Sequence, residues 1–136
     1  MADFQTLDPE TRAFALVGQF LRAWSTMENS LHEAIGAALS IEAPKLQILC
    51  ANIRFQDKTN ILRTLVDIAP GLPAEEKAKL NKSLRELADY SASRNMIAHD
   101  PFRPNSAATG VEFLTVKAKG RFELPSVVRN ADRFQQ

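Results

Sequence analysis

Ser91-Ala92-Ser93-Arg94-Asn95-Met96-Ile97-Ala98-His99-Asp100-Pro101 is the stretch whose reading decides the fold. It closes a long helical segment and places an arginine where a leucine is expected. At ~100° per residue, Leu80, Leu84, Leu87, Ser91, Arg94 and Ala98 fall within one arc about 80° wide. The three leucines make that arc core-facing, so Arg94 is expected to point from the buried stripe into whatever the stripe packs on. An arginine keeps its charge, and a carboxylate, a phosphate or another subunit must meet it. Pro101 disfavours helical geometry at Asp100, which ends the helix at or near His99. The negative end of the helix dipole there favours a protonated imidazole. Asn95, one turn earlier, can reach the ring. Arginine, amide and imidazole at one helix end are equipment for holding a phosphate and moving protons around it.

Arg94-Asn95-Met96-Ile97-Ala98-His99 resembles the R-N-x-x-x-H signature of the HEPN superfamily, the higher eukaryote and prokaryote nucleotide-binding domains. The resemblance covers the helical part of the chain. It implies a mainly α fold, an HEPN-like up-and-down helical bundle, that assembles as a homodimer. It also implies a metal-independent endoribonuclease that needs no cofactor. Such domains recur in toxin–antitoxin and phage-defence settings, which brings an antitoxin protein in as a partner. Many of them bind without cutting, so a non-catalytic nucleotide- or RNA-binding or protein-interaction module is a second reading of the same residues. A third takes Arg94 as a structural ion-pair partner and His99 as a helix cap.

With 136 residues, the chain is short enough to read as a single domain. A hydrophobic content of 45% with 24% charged residues suits a soluble protein with one real core. The net charge of +1 does not by itself advertise nucleic-acid binding. The charge is nevertheless uneven, at −3 over residues 1–40 and +3 over residues 101–136. A basic C-terminal region near the motif can steer an anionic polymer; a solvated hairpin face is the plainer account. Cys50 is the single cysteine, which rules out a disulfide framework and a cysteine metal site. It falls among Leu46, Leu49 and Ile53 and reads as a small core residue. The N-terminus lacks the features of a signal peptide, and no apolar run approaches membrane-spanning length. A cytoplasmic protein with no membrane association is expected.

Asp8-Pro9 is a helix start, an N-cap acceptor followed by proline in the first turn. The helix should run to about Ser40 on a stripe from Val17 and Trp24 through Leu31 and Ile35 to Leu39. Glu28 falls inside that stripe, where Arg94 is its expected cationic partner, in one protomer or across a dimer. The alternative is a boundary carboxylate that reaches water. His32, one turn beyond Glu28, either joins the Arg94 cluster or is a satisfied flank residue. Pro44 opens a second helix, whose apolar phase slips at Phe55, so a kink or break is expected near residues 52–56. Arg54, Lys58 and Arg63 are read onto its polar side. Pro70-Gly71-Leu72-Pro73 is a stop and restart, and the motif helix follows from about Ala74 to His99.

After Pro101 the composition changes. Residues 102–109 read as a loop, and Val111–Ala118 with Arg121–Leu124 as a β-hairpin turning at Lys119-Gly120. Leu114, Val116, Phe122 and Leu124 are expected to share its packed face. Ser126 is expected to cap a short last helix. One domain thus results: a helical core over about 8–100, a hairpin over about 110–125 and a terminal helix over about 126–135.

The chemistry the chain lacks narrows the choice. There is no recognisable zinc or iron ligand set, no glycine-rich phosphate loop and no nucleophile elbow. Arg94, Asn95 and His99 remain as the candidate catalytic residues, supported by Glu28 and His32. RNA cleavage needs a base, an acid and positive charge at the phosphorane. One chain offers one motif histidine, so a two-fold dimer would supply two, the arrangement the resemblance also implies. On it one His99 is the base, its mate the acid, Arg94 the phosphate clamp, and Asn95 orients the histidine or a phosphate oxygen.

Overall fold

The computed structural model describes residues 6–105, 110–115, 117–118, 122–123 and 126–129. Four helices come first: α1 (Pro9–Leu39), α2 (Lys45–Ala51), α3 (Phe55–Asp67) and α4 (Ala74–His99). Five short strands follow: β1 (Phe102–Pro104), β2 (Val111–Leu114), β3 (Lys117–Ala118), β4 (Phe122–Glu123) and β5 (Ser126–Arg129). The chain is mainly helical with a small antiparallel sheet after the helices. The described residues fall into two compact units, one within Met1–Trp24 and Arg94–Gln136 and the other within Ser25–Ser93.

The helix boundaries follow local chemistry. Asp8 Oδ1 accepts the Thr11 N–H at 3.0 Å, which caps α1 at its start. At the other end Ser40 takes φ 54°, and the Ile41 N–H donates to the Gly36 carbonyl at 2.9 Å. That six-residue closure with a left-handed residue is a Schellman stop, made here by serine. Gly36 is required beside it: a Cβ there would lie 2.6 Å from Leu46 Cδ2 and 2.9 Å from the Ile41 carbonyl oxygen. The expected break separates α2 from α3 at residues 52–54, and α4 spans the segment read for it.

Within the unit of Ser25–Ser93, Leu31, Ile35, Cys50 and Leu84 are buried. Arg63 Nε donates to Asn81 Oδ1 at 2.6 Å and so ties α3 to α4. Several residues depart from the stripe reading. Leu80, expected to be core-facing, is 44% exposed, and Leu39 and Leu49 are also exposed. Lys58, read onto the polar side, is buried at 5% exposure. The reason is visible within α3. Counted from Phe55 at ~100° per residue, Lys58 falls between Phe55 and Leu65, inside the apolar arc.

The other unit is built on Ala13, Leu16, Val17, Ile97, Val111 and Phe113, with Phe20, Leu21, Met96, Phe102 and Val127 packed around them. Rings of Phe14 and Phe102 meet edge-on at 5.5 Å, and Phe102 lies 5.9 Å from Phe113. Its three-stranded sheet has the order β1-β2-β5, antiparallel throughout. This corrects the hairpin in part, since its expected arms do pair at Lys117–Ala118 and Phe122–Glu123. β2 pairs with β1, from the stretch read as a loop, and with β5, while Lys117 and Ala118 pair with Glu123 and Phe122. The buried face is also the opposite one. Val111 and Phe113 are fully buried and Leu114 is 39% exposed, because a two-residue period leaves either alternate set to face the core. Glu112, between the two buried residues, takes the outer side, where Arg103 Nε meets its Oε2 at 2.7 Å. That bond, with a second from Ser126, holds the Glu112 carboxyl below its usual range. The terminal helix is corrected too. Ser126–Arg129 form a strand, as the adjacent β-branched Val127 and Val128 favour; residues 130–135 of that expectation lie outside the described residues, as do Val116, Leu124 and the Lys119-Gly120 turn.

Candidate functional site at the end of α4

Ile97, 5% exposed, anchors the last turns of α4 in the core. At ~100° per residue, Asn95 and His99 lie about 160° from Ile97, whereas Arg94 lies about 60° from it. The exposures agree: Asn95 and His99 are exposed and Arg94 is half-buried. Arg94 therefore stands at the margin of the packed face: of the arc that holds it, Leu84 is buried, Leu87 and Ser91 are half-buried, and Leu80 and Ala98 are exposed. Its Nη1 donates to Asn95 Oδ1 at 3.0 Å. That bond commits the amide oxygen to the guanidinium and leaves the Asn95 NH2 as the donor end. His99 is the last residue of α4, where unpaired carbonyls concentrate negative potential.

The chain leaving His99 is fastened to β2. The Asp100 N–H donates to the Met96 carbonyl at 2.9 Å, and Thr115 Oγ1 donates to Asp100 Oδ2 at 2.9 Å. The Leu114 N–H donates to the Pro101 carbonyl at 2.9 Å. Neither Thr115 nor Asp100 stood out in the sequence, because the contact joins residues that only the β2 pairing brings together.

Glu28 and His32 belong to the other unit, and there the structure corrects the expected pairing. Glu28 Oε1 is met at 3.0 Å by Lys58 Nζ; the side chains are 24% and 6% exposed. The partner expected for Glu28 was Arg94, but Lys58 projects from within the apolar arc of α3 and supplies the cation inside the same unit. His32 Nε2 is buried and has no hydrogen-bond partner among the described residues. Burial holds the His32 pKa below 6.5; the Lys58 charge lowers it further and the Glu28 charge opposes both. Glu28, His32 and Lys58 thus form one cluster, and Arg94, Asn95 and His99 another grouping in the chain.

Among the described residues no group of three or more His, Cys, Asp or Glu is placed to hold a metal ion, and no helix is long and apolar enough to cross a membrane. Comparison with known proteins gives no match to this chain, whether among protein families, curated proteins or solved structures.

Proposed function

We propose that this chain is an HEPN-like, metal-independent endoribonuclease working as a homodimer. The reading is supported above all by one arrangement: an exposed His99 at the negative end of α4, one turn beyond an Asn95 whose oxygen is held by half-buried Arg94. On this reading two copies bring their α4 ends to one cleft. One His99 takes the proton of the RNA 2′-hydroxyl, and the oxygen attacks the adjacent phosphorus. The bond from phosphorus to the 5′-oxygen breaks, and the partner copy's equivalent histidine protonates the leaving oxygen. A 2′,3′-cyclic phosphate and a 5′-hydroxyl result. Arg94 and the Asn95 NH2 stabilise charge on the phosphorane. A toxin–antitoxin or defence setting, with an antitoxin partner, belongs to the same proposal.

The test is cleavage of a mixed RNA pool in EDTA by wild type, His99→Ala and Arg94→Ala, with light scattering for the dimer. Wild type should leave cyclic phosphate ends, and each variant should lose roughly 100-fold or more in rate. Equal cleavage by all three, or none by any, defeats the proposal. Thermal stabilisation by nucleotide or RNA that vanishes in Arg94→Ala, with the RNA intact, would put a binding module in its place.

A further inference from the structure

We infer that Thr115 is a positioning residue for His99: its hydroxyl, acting through the Asp100 carboxylate, fixes the last turn of α4. For its catalytic consequence the inference rests on the ribonuclease reading; the tether itself stands on geometry. A helix C-terminus lacks intrahelical partners for its last carbonyls, and its final turn frays unless something else holds it. His99 is placed at that turn, and a proton-transfer group held loosely there would lose most of its advantage.

The structure counters fraying with three successive ties at Asp100, Pro101 and Phe102. Asp100 accepts the Thr115 hydroxyl, Pro101 accepts the Leu114 N–H, and Phe102 pairs with Phe113. β2 is a firm anchor for them because Val111 and Phe113 are fully buried. The tie nearest His99 is the hydroxyl–carboxylate bond, strengthened by its charged acceptor. It also turns the Asp100 carboxylate toward the sheet. Being made by two side chains, it can be removed without touching the backbone ladder.

Thr115→Val keeps the residue's shape and removes the hydroxyl; Thr115→Ser keeps the hydroxyl. In the labelled chain, Thr115→Val should speed amide exchange at Asp100 about 10-fold and leave that of Leu31 and Ile35 unchanged. The ring signal of His99 should shift or broaden while that of His32, the other histidine, stays in place. In RNA cleavage kcat should fall about 10-fold with KM nearly constant. Thr115→Ser should restore all of these. Exchange and ring signals that do not move in Thr115→Val, or exchange that rises equally through the whole chain, overturn the inference. So does an unchanged kcat in a variant whose last turn frays. A wild type that cuts no RNA defeats the ribonuclease reading alone, and the exchange and ring spectra then decide the tether.

Discussion

The ion pair of Glu28 and Lys58 makes an asymmetric prediction. Its two ends are unequally buried, at 24% and 6% side-chain exposure. Glu28→Gln strands the lysine ammonium in the apolar arc of α3. Removing one partner of a buried pair costs about 3–5 kcal/mol. Lys58→Met strands a carboxylate that still reaches water and adds an apolar side chain where the arc wants one, so about 1–2 kcal/mol is expected. The double variant Glu28→Gln/Lys58→Met removes both charges and should recover to within about 1 kcal/mol of wild type. Urea denaturation followed by circular dichroism at pH 7.5 measures all four chains. Single variants equal within about 0.5 kcal/mol, or a double variant equal to the sum of the singles, would refute the argument from unequal burial.

Two further substitutions test the same unit, Ser25–Ser93. Since His32 is held neutral by burial and by Lys58, the folded chain binds fewer protons there than the unfolded chain. Its contribution is full above pH 6.5 and declines as the pH falls through that value. Denaturant midpoints between pH 7.5 and 5.5 should show that slope in wild type and lose it in His32→Leu; a slope unchanged in the variant counts against it. Gly36→Ala gains about 1 kcal/mol of helix preference but crowds the Ile41 carbonyl oxygen, 2.9 Å from the new Cβ. That oxygen is backbone and gives less readily than the tip of the Leu46 side chain, so crowding of about 1–3 kcal/mol should win. A melting temperature above wild type would show the reverse.

What the sequence disclosed depended on range. Asp8, Pro44, the Pro70–Pro73 punctuation and Pro101 act on their immediate neighbours, and α1, α2 and α4 begin or end where those residues direct. The strands needed partners that no local rule supplies. The alternation around Glu112 offered two apolar sets, and only packing against Leu16 and Ile97 selects Val111 and Phe113. β5 is a strand because β2 is beside it. At the candidate site, the types and spacing of Arg94, Asn95 and His99 were legible, as was their place at a helix end. The partner of Arg94 was not, because neighbours one residue apart on a helix are not expected to meet, yet the long guanidinium side chain reaches the adjacent amide. Lys58 was legible in principle: an arc drawn from Phe55 contains it, just as the α1 arc contains Glu28.

Cys50, 1% exposed and the lone thiol in the sequence, gives the molecule a built-in clock. A maleimide or disulfide reagent can reach it only when α2 lifts away from its surroundings, so the labelling rate counts those excursions directly. Compared with the rate of global unfolding, it tells whether the short helix after the α1 stop breathes on its own or only when the whole chain lets go.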